Sequence, residues 1–434
     1  MPASADGVSP LAEIERAVLA RARDEDLDAG DERAVQRLRD MLHEEAVTWD
    51  EQAELGRRPY ELASRDDVVE RGLRNLIGAG PLESLLDDDD VWEVMINAPD
   101  QIFIKRHEGV SGYHDENFHD GAHLLRTLTR LLDRSTSGQR KLDPSEGLQD
   151  AQLDDGARLH IVHTDIGRNG NMLVNIRKFT GVAFRSLDEL TDIGMMSPAV
   201  AAFLRAAVST QQSIVFAGRP GSGKTTLLSC CAAELDPALR IVTAEEVFEV
   251  DIPLPNVAAM QTRPARPDRP AIELRQLVAG FLRMAPDVAV VGEVRDREAL
   301  PLLLTLSSGV TGYATLHAAS ARQALTRLRF ICQLADTRSE LPMSALNALV
   351  AESIDVVVFC DRVDGTPVVD HVIAVEDLQT EQSSPTFTVT DLFARGSERI
   401  AQWTGMVPSR LAHKMSARGI DVRMLLDGSD RHAS

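Results

Sequence analysis

Aromatic residues are scarce in this chain. Phe, Trp and Tyr make up 4% of its 434 residues, although 44% are hydrophobic. Proteins that hold single-stranded nucleic acid stack bases on aromatic side chains, so this scarcity argues against such a surface. Positive charge is in deficit as well: 46 Lys and Arg stand against 67 Asp and Glu, a formal net charge of −21. A chain of that balance repels a phosphate backbone except at a local basic groove, and no direct nucleic-acid binding is expected. Cysteine is rare. Cys230, Cys231, Cys332 and Cys360 fall in apolar stretches without a C-x-x-C pair or a zinc spacing, as buried reduced thiols of a cytoplasmic protein would. No apolar run approaches the roughly 20 residues of a transmembrane helix. The opening MPASADGVSPLAEIERAVLA lacks the basic start and apolar stretch of a secretory leader. The expected location is therefore cytoplasmic and peripheral, with membrane contact only through a partner.

The length predicts two or three domains, since hydrophobic cores rarely grow to this size. Residues 1–70 read as a charged helical extension, with helical spacing in LAEIERAVLARA and AVQRLRDMLHEEA. Residues 71–185 read as a smaller α+β domain. VWEVMIN and QIFIKR alternate with period two, AHLLRTLTRLLDRS is an amphipathic helix, and ARLHIVHTD and MLVNIRKF are further strands. A linker and helix occupy 186–210. From 211 to 395 strands alternate with helices: QSIVFAG, TTLLSCCAAEL, RIVTAEE, AIELRQLVAGFLRM, DVAVVGE, REALPLLLTLSSG, YATLH. That alternation predicts a parallel sheet with helices on its faces. IDVVVFCDR, DHVIAVEDL and TFTVTDLF extend it as further β structure, and 396–434 reads as a charged helical tail.

Between the first strand of that region and its helix lies GRPGSGKTT, residues 218–226. It satisfies G-x-x-x-x-G-K-[ST], a loop whose backbone amides face the phosphates of a nucleotide. Gly218, Gly221, Ser222, Gly223, Lys224, Thr225 and Thr226 are the binding candidates, with Lys224 on the β- and γ-phosphates and the Thr225 hydroxyl on Mg²⁺. Hydrolysis also needs a group that orients water. DVAVVGEVRD, residues 287–296, ends its strand in Gly292 and Glu293 where P-loop enzymes usually carry an aspartate. Glu293 and Glu245, at the ends of two strands, would converge on the crevice that holds the phosphate loop. His317, in TGYATLHAAS, ends a fourth strand and is placed to sense the γ-phosphate. His114, His119, His123, His160 and His163 have no carboxylates at metal spacing and read as structural or surface residues. The run LDDDD at 86–90 reads as a solvated turn.

In order and spacing, GRPGSGKTTLL, IVTAEEVFEV, FLRMAPDVAVVGEVR and GYATLHAASARQALTRL resemble the Walker A, Asp box, Walker B and His box of the secretion ATPases. That superfamily powers type II secretion, type IV pili and type IV secretion, and its Walker B ends in Gly-Glu. GAGPLESLLDDDDVWEVMINAPDQIFIKR, DDGARLHIV and NIRKF look like the N-terminal domain of the CpaF branch, which drives tight-adherence (Flp-type) pilus assembly. The resemblance spans about residues 70–395. It implies a hexameric ring holding ATP in a cleft between the N-terminal domain and a RecA-like domain. Lys224 and Thr225 would bind phosphate and Mg²⁺, Glu293 would be catalytic, and Glu245 and Glu249 would arrange water and metal. Arg158 and Arg177 match arginines that such domains send to the γ-phosphate, and Arg263 is a candidate for a charge supplied across a subunit boundary. The chain departs from the pattern at Val310, Glu246, Gln152 and Ala259.

The fold expected is α/β: a RecA-like P-loop ATPase core with a parallel sheet, preceded by a smaller α+β domain and a helical extension. The function expected is that of an ATP-hydrolysing motor docked on an inner-membrane platform protein. Type IV secretion or conjugation is the alternative task. The alternative of another class is an assembly switch that binds ATP with negligible turnover, to which Val310, Gln152 and Ala259 point.

Overall fold

The computed structural model describes residues 9–25, 32–106, 109–135, 141–178, 184–263, 265, 269–335, 341–377 and 387–430. The chain divides into two compact units, Met1–Thr180 and Gly181–Ser434. In the first, the charged N-terminal segment forms α1 (Pro10–Asp24), α2 (Glu32–Glu54) and α3 (Arg65–Ile77). Pro10 opens α1 where its missing N–H costs nothing, and Ser64 caps α3 by accepting from the Asp67 amide. Ile14, Val18, Leu38, Met41, Leu42 and Leu73 meet in one small core.

After a short α4 (Glu83–Asp87) come β1 (Val91–Ala98), β2 (Gln101–Arg106), β3 (Gly112–Tyr113) and α5 (Gly121–Arg134). They are followed by β4 (Leu148–Gln152), β5 (Arg158–Val162) and β6 (Leu173–Arg177). The strands form a six-stranded sheet in the order β3-β2-β1-β6-β5-β4, antiparallel throughout. Leu124, Leu128 and Leu132 of α5 share a core with Val94, Ile96, Leu159 and Ile176. The Arg130 guanidinium of α5 donates to the carbonyls of Asn75, Leu76 and Gly78, acceptors that the end of α3 leaves without helical partners.

The reading of His119 and His123 as lacking a carboxylate is corrected here. Helix α1 brings Glu15 to them, with His119 Nε2 at 3.0 Å from Glu15 Oε2. The pair is 104 residues apart in sequence, beyond the reach of any local spacing rule.

The second unit begins with α6 (Leu187–Asp192), α7 (Pro198–Ser209), β7 (Ile214–Gly218), α8 (Lys224–Ala233), β8 (Ile241–Glu245) and β9 (Val257–Gln261). It continues with α9 (Leu274–Ala279), β10 (Val288–Val294), α10 (Ala299–Ser307), β11 (Thr311–His317), α11 (Ala321–Ala335) and α12 (Met343–Ser353). The remainder is β12 (Val356–Val363), β13 (Thr366–Val375), β14 (Val389–Ala394), β15 (Gln402–Trp403), α13 (Ser409–Ser416) and α14 (Val422–Asp430).

Its strands make one nine-stranded sheet, β15-β14-β13-β12-β7-β11-β10-β8-β9. From β12 to β9 every pairing is parallel, and β13 to β15 add an antiparallel edge. Apolar residues of β7 explain the layering: Ile214 and Phe216 face α7 and α8, whereas Val215 and Ala217 face α10 to α12. Strands buried on both faces read as continuous apolar runs, as QSIVFAG and DVAVVGE do. The α/β class with a parallel-sheet core is thus as expected.

Two local readings differ. The helix expected over AIELRQLVAGFLRM breaks at Gly280 into α9 and a 3₁₀ turn at Phe281–Met284, and β9 emerges from VAAMQ, which carries no clear alternation. The C-terminal segment is more than a charged tail. Leu411, Met415, Val422 and Leu426 are buried in the core that α7 and α8 share. Asp355, itself buried, accepts from Lys414 Nζ at 2.6 Å and from the Ser213 amide at 2.9 Å.

Candidate nucleotide-binding site

Strand β7 delivers the chain into the loop Gly218–Gly223, and α8 starts at Lys224. Gly223 precedes the helix with φ +82°, a left-handed conformation that favours glycine and aims the first amides of α8 into the loop. The Arg219 carbonyl accepts from Ser222 Oγ and from Lys224 Nζ, each at 2.8 Å, so the loop is drawn around one oxygen. Lys224 and Ser222 are buried, while Gly221 is exposed and Thr225 and Thr226 are half-buried in the first turn of α8. A hydroxyl on that turn, with carboxylates nearby, supplies the hard oxygen donors that Mg²⁺ takes, so these residues fit that ion.

The carboxylates arrive on β8 and β10, which pair in parallel with Val291 beside Ala244. Glu293 lies at the end of β10, where the ladder to β11 is irregular between Val291 and Val294. His317 closes β11: its Nε2 is 2.8 Å from Glu293 Oε1, and its Nδ1 is 3.3 Å from the Gly218 carbonyl and 3.5 Å from Lys224 Nζ. One imidazole therefore bridges the phosphate loop and the strand-end carboxylate. Burial acts to raise the Glu293 pKa, and contacts with His317 and Arg295 outweigh it, pulling the carboxyl down to about 2.

Glu245, 2% exposed, also shapes the loop beside it. Its Oε2 accepts from the amides of Glu249 at 2.8 Å and Val250 at 2.9 Å, folding the loop that carries Glu249 back over the strand end. This explains the glycine in place of the usual aspartate. A Cβ on Gly292 would come within 2.8 Å of Glu245 Cγ and 3.0 Å of Oε2, so any side chain there displaces the buried glutamate.

Sequence reasoning did not single out two arginines that the structure brings into this region. Arg295 donates to Glu293 Oε2 at 2.6 Å and to Glu246 Oε2 at 2.9 Å. Its position two residues beyond Glu293 was the available signal. Arg362 donates from NH1 to the Gly221 carbonyl at 3.0 Å and from Nε to the Gly365 carbonyl at 2.9 Å. Nothing in the sequence near 362 marks it. It reaches the loop because β12 pairs with β7 in a register that sets Cys360 beside Gly218.

Arg263 follows β9, in a bridge with Ile272, and donates to the Pro270 carbonyl. Arg158 and Arg177 belong to the first unit, where they are direct cross-strand partners on β5 and β6. Gln152 lies on the other side of Arg158 and Glu93 on the other side of Arg177, giving a row Gln152, Arg158, Arg177, Glu93.

Residues 75–411 match the family described as Type II/IV secretion system protein. The chain belongs to this family. It is a member of the secretion ATPase superfamily, as the four boxes indicate. The chain is 32% identical over 306 residues to the type IV secretion system protein PtlH of Bordetella pertussis, covering 65% of this chain and 88% of that protein. It is 26% identical over 320 residues to VirB11 of Bartonella quintana, a type IV secretion system protein, covering 66% of this chain and 88% of that one. Among solved structures it is similar to the VirB11 ATPase of the Brucella suis type IV secretion system in complex with sulphate. That match has 27% identity and a TM-score of 0.36, over 67% of this chain and 94% of that one. Helices α1 and α2 lie outside the family match, as does α14. None of the secretion ATPase's described helices is long and apolar enough to cross a membrane.

Proposed function

We propose that this secretion ATPase is a cytoplasmic motor that hydrolyses ATP and uses domain closure to drive pilin assembly or protein export. The observation that carries the reading is the continuous run Lys224, His317, Glu293, Arg295 at the mouth of the phosphate loop. Such a run couples the state of a bound γ-phosphate to the catalytic carboxylate. Lys224 and the amides of α8 would hold the phosphates, Thr225 would hold Mg²⁺, and Glu245 and Glu249 would arrange water and the ion. The ion, when bound, neutralises charge on the transferring phosphoryl group. Glu293, ionised at neutral pH, orients the attacking water by hydrogen bonding.

Arg158 and Arg177 supply positive charge to the γ-phosphate on closure, and Arg263 does so across a subunit boundary in a hexameric ring. Arg158 and Arg177 are direct cross-strand partners, so one anion could engage both guanidiniums. The partner is an inner-membrane platform protein, reached without a membrane segment among the described helices. Resemblance to the CpaF branch favours tight-adherence pilus assembly, whereas the names of PtlH and VirB11 favour type IV secretion.

Steady-state phosphate release tests the reading, with Lys224→Ala and Glu293→Gln as controls. The wild type should exceed both by about 100-fold or more. A wild-type rate no higher than the controls would leave only the nucleotide-gated switch.

A further inference from the structure

We propose that Glu15, His119 and His123 form a binding site for a divalent transition-metal cation of the Zn²⁺ kind, which staples helix α1 to the α+β domain. One ligand atom from each residue can be chosen so that all lie within 4.8 Å of one another. A carboxylate with two imidazoles is a donor set suited to Zn²⁺, with further positions left for water or a neighbouring oxygen. Glu15 is 4% exposed and His123 1%, while the His119 side chain keeps 16% of its surface and gives a path inward.

His123 Nε2 is a buried ring nitrogen without a hydrogen-bond partner, an unusual condition for a polar atom so enclosed. The gap before it is polar. A Cβ on Gly80, where φ is +59°, would lie 3.1 Å from Asn75 Oδ1, 3.4 Å from His123 Nε2 and 3.7 Å from Thr127 Oγ1. Asn75 Nδ2 also donates to Glu15 Oε1 at 2.6 Å, fixing the carboxylate so that Oε2 turns to His119. That is the supporting hydrogen bond that metal-ligating carboxylates carry.

Arg126 and Arg130 stand near His123 as well. Those two arginines oppose a cation, and Glu15 and Asp120 favour it. Coordination at Nε2 needs the tautomer with its proton on Nδ1. It therefore gives up the 3.3 Å contact between the His119 amide and Nδ1 in exchange for the metal bond. Glu15 lies outside the 75–411 family match and both histidines lie inside it, so the site joins this chain's own extension to the shared domain.

The test is calorimetric titration of Zn²⁺ into the full-length, chelator-stripped protein without nucleotide, with Co²⁺ absorption as a report on ligand geometry. The wild type should take up Zn²⁺ stoichiometrically and unfold at a higher temperature with the ion bound. Glu15→Gln and His119→Ala should each weaken binding by at least about tenfold and abolish the thermal gain. His119 is partly exposed and Glu15→Gln preserves shape, and circular dichroism confirms that each variant is folded. No uptake by folded wild type, or uptake unchanged in both variants, overturns the site. Neither result depends on ATP turnover, so the motor reading stands or falls separately.

Discussion

Glu293 shows how far neighbours can move a single group. Burial alone would lift its carboxyl above the ordinary 4.5; contacts with His317 and Arg295 bring it to about 2 instead. Because the folded value is depressed, its contribution to stability is complete above about pH 4.5 and drains away as pH falls toward 2. In Arg295→Ala the burial remains and part of the compensation is gone. The Glu293 carboxyl should then titrate at least about one pH unit higher, read by carbon-detected NMR of the labelled glutamates. The variant should also lose part of the stability that the wild type sheds between pH 4.5 and 2. A Glu293 titration unmoved by this substitution would show that Arg295 does not set its charge.

At the level of elements, parallel pairing of β12 with β7 carries Arg362 past the sheet edge to the Gly221 carbonyl, bracing the phosphate loop from outside. Arg362→Ala removes about one hydrogen bond's worth of order from the loop proposed to bind phosphate. The KM for ATP should rise roughly five- to tenfold with kcat little changed, as an ATP titration of turnover would show. A fall in kcat at constant KM would place Arg362 in the chemistry instead. The C-terminal helices make a second case. Leu411 is buried under the same face as α7, and Leu411→Ala should cost about 2–5 kcal/mol in denaturant unfolding. Local chemistry made the phosphate loop legible, because GRPGSGKTT needs only its flanking strand and helix to be understood. Partners supplied by register or by distant helices, such as Arg362 to Gly221 or Glu15 to His119, leave no periodic trace. The helix misread over 271–284 has a local cause: its apolar spacing continues through Gly280, where the backbone turns out to break.

For the whole molecule, the family explains the boxes, while the first unit sets two arginines side by side on its sheet. Arg158 and Arg177 are direct neighbours across β5 and β6, and Glu93, beyond Arg177, is engaged by Lys105 at 2.6 Å. Arg177 is exposed at the end of its strand, so little of the fold's stability should depend on it. The proposed role of both guanidiniums toward a phosphate separates two measurements. Arg177→Ala should leave the unfolding free energy within about 0.5 kcal/mol of the wild type. The same substitution should lower turnover by about 100-fold while ATP still binds through Lys224. A variant that loses stability along with turnover would mark Arg177 as a structural residue, and the closure mechanism would then need another cation.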